Sequence, residues 1–129
     1  MVTVDNHAYR KLDAWQRAMD SYDAVHDLSR TFPPDERFGL TGQIRRAALS
    51  VSSNVAEGYG RRHRREYLHH LYIARGSLME TETQLIAAVR RKMGPREQAT
   101  PVWDILQQTG RLLHGLIASL ETDANHSDP

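Results

Sequence analysis

Two short patterns in the sequence contain residue types that can do chemistry. Glu66 and His69 form a Glu-x-x-His pair, which is half of the ligand set of a di-iron four-helix protein, and the chain has no second such pair. Serines at positions 50, 52 and 53 lie in a helical pattern, without the strand-turn-helix elbow and paired histidine of a serine hydrolase. We therefore predict no catalytic residue, no metal site and no cofactor, and we expect that the protein is not an enzyme.

An arginine cluster in the middle of the chain is the strongest functional signal. Residues 37–96 contain 12 basic and 4 acidic residues, whereas the net charge of the whole chain is +1. Planar guanidinium groups bind phosphate oxygens in pairs, so a dense group of arginines favours a phosphate-binding surface. We predict that nucleic acid binds to Arg61, Arg62, Arg64, Arg65, Arg45 and Arg46.

The same cluster has a simpler interpretation. It could be a solvated loop that nearby carboxylates partly neutralise, since arginine is also the common basic residue of proteins from GC-rich genomes. The adjoining histidines are interpreted as solvated neighbours of the arginines, namely His63, His69 and His70.

Apolar residues recur at intervals of three and four in four segments, and each segment predicts an amphipathic helix. Asp13 is expected to cap the first helix, which ends near Arg30. The second helix is expected to close at Gly58 and Gly60, because glycine accepts the left-handed conformation of a helix C-terminus. The predicted core face of the first helix is formed by Trp15, Met19, Tyr22 and His26, and is widened by Leu12, Val25 and Phe32.

The remaining two segments complete an all-α fold. The third helix is expected to end near Lys92, and the fourth to begin at the Thr100-Pro101 pair and to fray after Glu121. Because loops of a few residues connect the four segments, we predict an antiparallel up-down four-helix bundle. Residues 1–129 would form this single domain, with flexible ends at about 1–9 and 122–129.

The composition indicates in which compartment the protein is expected. The chain has no cysteine, and therefore neither a disulfide framework nor a thiolate site. It also lacks an apolar run long enough for a membrane span and a basic-then-apolar secretory start. We expect a cytoplasmic protein without a membrane partner.

A polar ridge accompanies the apolar stripe of the second helix. The polar residues of this ridge recur at steps of three and four along the helix. Small polar side chains beside a core usually form hydrogen bonds with a neighbouring helix. By phase, Glu82 lies inside the apolar stripe of the third helix, so it should be partly buried and paired with Arg75, Arg45 or Arg46. We predict a structural polar motif that consists of Ser50, Asn54, Glu57, Gly58 and Glu82.

A long motif in the second helix resembles a known family. Residues 39–61 read Gly-Leu-Thr-x-Gln-Ile-Arg-Arg-Ala-Ala-x-Ser-Val-x-x-Asn-Val-Ala-Glu-Gly-Tyr-Gly-Arg, and residues 12–15, 32–33 and 74–85 supply further matches. This pattern is similar to the signature of the four-helix bundle proteins encoded by intervening sequences in bacterial 23S rRNA genes. The motif residues at matching positions are Arg45, Arg46, Ser50, Asn54, Glu57, Gly58, Gly60, Arg61, Glu80 and Glu82.

The resemblance implies a four-helix bundle that assembles into a closed ring, with a homopentamer as the expected form, and without known enzymatic activity. It also implies a relation to the bundles that assist the reverse transcriptases of retroelements. Two hypotheses follow: a non-enzymatic oligomer that binds the backbone of RNA or DNA, or a protein-interaction scaffold whose partner is a polymerase such as a reverse transcriptase. An enzyme built on Ser50, Asn54 and Glu82 is the third hypothesis, and it would require a solvent-accessible pocket that joins these residues.

Overall fold

The four segments with helical periodicity form four α-helices. This computed structural model describes residues 7–127, with side chains up to residue 122. The helices are α1 (Asp13–Ser29), α2 (Leu40–Tyr59), α3 (Arg64–Arg90) and α4 (Arg96–Ser127). Short 3-10 helices lie at Ala8–Lys11 and Pro34–Glu36, and no strand occurs between residues 7 and 127.

The helices form an antiparallel bundle. Each helix packs against the one that follows it, and α1 also packs against α4, so the four helices enclose one apolar core. The prediction of an all-α four-helix bundle is confirmed. Of the ends predicted to be flexible, residues 1–6 and 128–129 lie outside the described residues. The described parts of those ends are helical: Ala8 begins a 3-10 helix, and α4 continues past Glu121 to Ser127.

The start and the core face of α1 differ from the prediction. Leu12 is the N-cap residue and Asp13 is the first helical residue, where its carboxylate still favours the positive end of the helix dipole. The buried face of α1 is displaced by one residue from the predicted one. The large side chains at the four periodic positions of the predicted face are only half-buried. Small side chains let α1 approach its neighbours closely, and the residues at the centre of the buried face are Ala14, Ala18, Ser21 and Val25.

The core faces of α2 and α3 follow the helical periodicity of the apolar residues in these two segments. In α2 the fully buried side chains include Ile44, Val51 and Val55. In α3 the buried residues recur at alternating steps of three and four along the whole helix, which is the spacing with which bundle helices interlock. This core stripe of α3 consists of Leu71, Ala74, Leu78, Thr81, Leu85 and Ala88.

The C-terminus of α2 is closed in a different way from the one predicted. Gly60 caps the helix with φ −76°, which is right-handed, and Gly58 lies inside the helix. Gly58 is required by packing instead, because a Cβ at this position would lie 2.8 Å from the Cβ of His70 and 3.1 Å from the carbonyl oxygen of Tyr67. The left-handed glycine is Gly94, with φ 75°, in the loop between α3 and α4.

A buried polar contact joins the first and last helices. The hydroxyls of Ser21 in α1 and Thr109 in α4 lie 2.6 Å apart, and both residues are almost completely buried. The Thr109 hydroxyl also lies within bonding distance of the carbonyl oxygens of Ile105, at 2.9 Å, and Arg17, at 3.1 Å. Because these polar atoms have partners, they fix the register of α1 against α4 with little desolvation penalty.

Candidate nucleic-acid interface

The loop between α2 and α3 carries the arginine cluster. Arg61 and Arg62 lie in this loop, and Arg64 and Arg65 form the start of α3. We call these four residues the arginine loop. Three of its side chains are exposed, and Arg64 is half-buried. The connection between the two helices is only four residues long, since α2 continues to Tyr59 and α3 begins at Arg64. The arginines are therefore confined to one end of the bundle.

An open cleft lies beside the arginine loop. Arg61 donates from Nη2 to Oε1 of Glu57 at 2.8 Å, an exposed pair that spans the last turn of α2. The cleft has a volume of about 480 Å³, and its lining combines two arginines and two histidines with one carboxylate. The lining residues are Arg61, Arg65, Glu66, His69 and His70.

The structure does not bring Arg45 and Arg46 to the arginine loop. Both lie near the start of α2, about 20 Å along the helix axis from its C-terminus. Arg45 donates from Nε to the hydroxyl oxygen of Ser29 in α1 at 2.7 Å. Because α3 returns antiparallel to α2, these two arginines share their end of the bundle with the exposed basic residues Arg90, Arg91, Lys92 and Arg96.

Hydrogen bonds between α2 and α3 form what we call the polar seam. The hydroxyl oxygens of Ser50 and Ser77 lie 2.9 Å apart. Asn54 donates from Nδ2 to the backbone oxygen of Ser50 at 2.9 Å and to its hydroxyl oxygen at 3.0 Å. The Oδ1 atom of Asn54 faces Nδ1 of His70 at 3.2 Å. The seam therefore joins two residues of the predicted polar motif to two residues of α3.

The polar seam assigns the tautomer of His70. Because Nδ2 of Asn54 donates twice, its Oδ1 atom is an acceptor, and Nδ1 of His70 must carry the proton. In neutral His70 the unprotonated Nε2 atom then faces Oε1 of Glu57, at 4.0 Å. The interpretation of His70 as a solvated residue is wrong, since its side chain is only 15% exposed. A signal was present in the sequence: His70, Ser77 and Gln84 recur every seven residues along one flank of α3.

Glu82 is half-buried, but its partner is not an arginine. Its Oε2 atom accepts a hydrogen bond from Nε2 of Gln107 in α4 at 3.3 Å. Arg75, an expected partner, instead places its guanidinium 5.1 Å from the ring centre of Tyr72. The side-chain amide of a glutamine can donate a hydrogen bond to the carboxylate. Such a bond does not need the strict geometry of a buried ion pair. Glu82 faces α4, so no pocket that the structure describes joins it to Ser50 and Asn54.

The hydroxyl of Tyr67 is a buried polar atom next to the seam. It has no hydrogen-bond partner among the described residues. Burial, together with the nearby Tyr59, raises the pKa of Tyr67 to about 12. Between about pH 10 and 12, unfolded chains lose this proton before folded chains do, so the free energy of unfolding falls as the pH rises.

We expect Tyr67→Phe to remove this part of the pH dependence. The ring is half-exposed and therefore partly screened, so the loss in the wild type should be of the order of 1 kcal/mol. At pH 7 the variant should be as stable as the wild type or up to about 1 kcal/mol more stable, because no hydrogen bond is lost. Urea denaturation of both proteins from pH 8 to 11.5 measures the difference. A clear loss of stability at pH 7 would show that the hydroxyl is bonded.

Neither a metal-binding cluster nor a membrane-spanning helix is found among the described residues. Among residues 7–122, no group of three or more histidine, aspartate or glutamate side chains is placed to hold a metal ion. None of the helices between residues 7 and 127 is both long and apolar enough to cross a membrane.

Comparison with known proteins identifies the family. The family model described as 23S rRNA-intervening sequence protein matches residues 10–115. No curated protein matches the chain. A similar solved structure is that of a protein with unknown function from the S23 ribosomal protein family of Bacteroides thetaiotaomicron. It is 22% identical, with a TM-score of 0.74, over 81% of this chain and 95% of that chain, a similarity that supports the fold alone. Because the family model covers most of the sequence, this chain belongs to the 23S rRNA-intervening sequence protein family.

Proposed function

We propose that the protein is a non-enzymatic, self-associating bundle that binds the phosphate backbone of nucleic acid through the arginine loop. The observation that carries this proposal is the concentration of four arginines at one end of the bundle, beside an open cleft. Each guanidinium can donate two parallel hydrogen bonds to a phosphate. Arg61 also has an exposed carboxylate partner, Glu57, which a phosphate could replace at small cost because both side chains are solvated.

Binding through this surface would depend little on nucleotide sequence. Tyr59 is the aromatic residue next to the loop, and its ring packs edge-to-face against Tyr67 with the ring centres 6.0 Å apart. One such ring could stack a single base, and stacking on an aromatic ring tolerates any base. Phosphate contacts position a protein without reading bases, so we infer sequence-tolerant binding. A nucleic-acid ligand also implies a cytoplasmic site of action.

Self-association would strengthen a weak patch. One arginine loop provides a few phosphate contacts, whereas copies linked in one particle raise the effective concentration of each further contact. We propose a closed ring, and five copies is the number that the family resemblance implies. The basic residues at the opposite end of the α2–α3 hairpin would add long-range attraction.

We expect binding to fall steeply with salt and to require the arginine loop. The test uses fluorescence anisotropy with short single-stranded and duplex RNA and DNA, over a salt series. The variant carries glutamate at positions 61, 62, 64 and 65. At about 0.1 M salt it should bind at least about 100-fold more weakly, and the wild-type log-log slope should be near −0.7 to −0.9 per phosphate contacted.

A charge-matched control separates the cluster from net charge. Replacing the four basic residues at positions 90, 91, 92 and 96 by glutamate changes the net charge equally, at the other end of the bundle. This control should lose less than about tenfold in affinity. Equal losses in both variants would show that net charge alone drives binding. If the wild type binds no nucleic acid at low salt, the proposal fails, and an acidic protein such as a polymerase becomes the partner to seek.

A further inference from the structure

The carboxylate of Glu57 lies between two alternative partners at the edge of the cleft. Its Oε1 atom accepts a hydrogen bond from Nη2 of Arg61 at 2.8 Å, and the same atom lies 4.0 Å from Nε2 of His70. Both partners line the cleft beside the arginine loop. The Glu57 side chain is 54% exposed, so a small rotation can bring its carboxylate within hydrogen-bonding distance of His70. Glu57 can therefore pair with the guanidinium or with the imidazole.

The polar seam holds the His70 ring in the orientation that this second pairing needs. Nδ1 of His70 donates to Oδ1 of Asn54 at 3.2 Å, and Asn54 is itself bonded twice to Ser50. These bonds fix the ring with its Nε2 atom directed at Glu57. Because the side chain is only 15% exposed, water solvates an imidazolium poorly at this position. A positive charge on His70 therefore depends on a negatively charged partner.

The binding state of Arg61 decides how much of the Glu57 charge is available to His70. While Arg61 holds Glu57, the carboxylate is shared with a permanent cation, which disfavours a second positive charge nearby. An anion bound to Arg61 neutralises the guanidinium and releases the carboxylate. The other charged or titratable groups that line the cleft around His70 all come from α3, and they are Arg65, Glu66 and His69. The His69 ring centre lies 5.7 Å from that of His70.

We propose that a nucleic-acid phosphate bound by Arg61 in this cleft shifts Glu57 to His70, and that His70 takes up a proton as the phosphate binds. The inference rests on the proposed function, to which it adds a defined phosphate position and a regulation by pH. No covalent bond to a heavy atom forms or breaks. Nε2 of neutral His70 gains one proton from solvent, the imidazolium pairs with Glu57, and the phosphate replaces Glu57 as the partner of Arg61.

The direction of the pH dependence follows from thermodynamic linkage. If the complex favours protonated His70 more than the free protein does, a proton and a phosphate strengthen each other's binding, so affinity rises as the pH falls. Histidine side chains ordinarily exchange this proton at about pH 6.5, which places the change between about pH 8 and 5.5. A carboxylate that approaches a partly buried imidazolium favours the charged form by about tenfold or more. We therefore expect about a tenfold gain in affinity.

The test measures binding at pH 8 and pH 5.5 by fluorescence anisotropy, at constant ionic strength. The probe is a short oligothymidylate with a 5′-hydroxyl end, because a terminal phosphate would itself titrate at about pH 6. Wild-type protein should bind about tenfold more tightly at the lower pH. Calorimetry in two buffers that differ in ionisation enthalpy should detect an uptake of roughly half a proton per bound phosphate at about pH 6.5.

Two variants remove the two halves of the pair. His70→Asn removes the titrating ring but keeps an amide that can donate to Asn54. Glu57→Gln removes the carboxylate, and at pH 8 it should bind at least as tightly as the wild type, because Arg61 then has no ion pair to break. In each variant, the gain between pH 8 and 5.5 should be less than about threefold, since only the exposed His63 and His69 still contribute.

Glu66→Gln is the control, because it removes the same charge from the same cleft. Its affinity should rise at both pH values, and the gain between them should remain near that of the wild type. An equal gain in the wild type, His70→Asn and Glu57→Gln would overturn the inference and leave the proposed function standing. An equal loss of the gain in Glu57→Gln and Glu66→Gln would do the same. Position 57 is half-exposed, so Glu57→Gln provides the test even if His70→Asn does not fold. A wild type that binds at neither pH would overturn the proposed function and the inference together.

Discussion

Replacing Gly58 by alanine should destabilise the protein by roughly 2 kcal/mol, although alanine is the better helix former. The new Cβ would lie 2.8 Å from the Cβ of His70, 3.0 Å from Cδ1 of Tyr67 and 3.1 Å from the Tyr67 backbone oxygen. Neither the backbone oxygen nor a Cβ atom can rotate away, so α3 must move as a whole. Overpacking of this kind typically costs about 1–3 kcal/mol, and separating the helices also strains the polar seam. The higher helix propensity of alanine would offset about 1 kcal/mol of this loss of stability.

Gly115→Ala is the matched control for this experiment. Gly115 lies in α4, and within the described chain an added Cβ would meet no atom within 4 Å. The helix propensity of alanine is then the main effect, so this variant should be more stable by about 0.5–1 kcal/mol. Urea denaturation monitored by circular dichroism measures both variants. Equal effects of the two substitutions would contradict the close approach of α2 and α3 at Gly58.

Two adjacent residues of α3 should respond very differently to truncation, because one is buried and the other is exposed. Leu85 is 2% exposed and lies in the core stripe. Leu85→Ala should therefore reduce the free energy of unfolding by about 2–5 kcal/mol, through lost transfer energy and a residual cavity. Domains of this size have a total stability of about 5–15 kcal/mol, so the variant should be close to the limit of folding at physiological temperature.

Ile86→Ala truncates the next residue, which is 47% exposed. For the isolated chain, the expected change in the free energy of unfolding is within about 0.5 kcal/mol, as for other surface positions. The exposed side chain has few packing contacts to lose, so no cavity is left behind. Thermal and urea denaturation of Leu85→Ala and Ile86→Ala, at the same low protein concentration, measure the difference. A large folding defect in Ile86→Ala would mean that this side chain is part of the bundle core.

The fold could be predicted from the sequence because the buried residues recur with the period of an α-helix. The apolar stripe of α2 is narrow and bounded by polar residues, so only one orientation of the helix satisfies it. In α1 the prediction favoured large aromatic side chains, whereas the structure buries Ala14 and Ala18 at the centre. Small residues contribute little hydrophobicity, yet they decide how closely two helices approach. The role of Gly58 has the same origin, since its effect depends on which atoms of α3 lie opposite.

The candidate site was only partly accessible. The polar ridge of α2 was visible as a spacing, but its partners on α3 depend on the relative rotation of two helices. His70 was missed for this reason, and Glu82 was assigned an arginine where the neighbouring helix presents Gln107. Arg45 and Arg46 share a charge-rich segment with the arginine loop. The antiparallel return of α3 nevertheless separates them, because charge along a sequence does not specify charge on a surface.

The contact between Ser21 and Thr109 also bears on how the chain folds. Short loops join α2 to α3 and α3 to α4, so these pairs of helices meet at little loop-closure entropy. The Ser21–Thr109 contact instead joins residues 88 positions apart, and α1 can find α4 only after the intervening helices have brought them together. We therefore expect closure of α1 on α4 to be a late step of folding. Interactions that form late in folding slow unfolding more than they speed folding. The polar contact should therefore lower the unfolding rate of the protein.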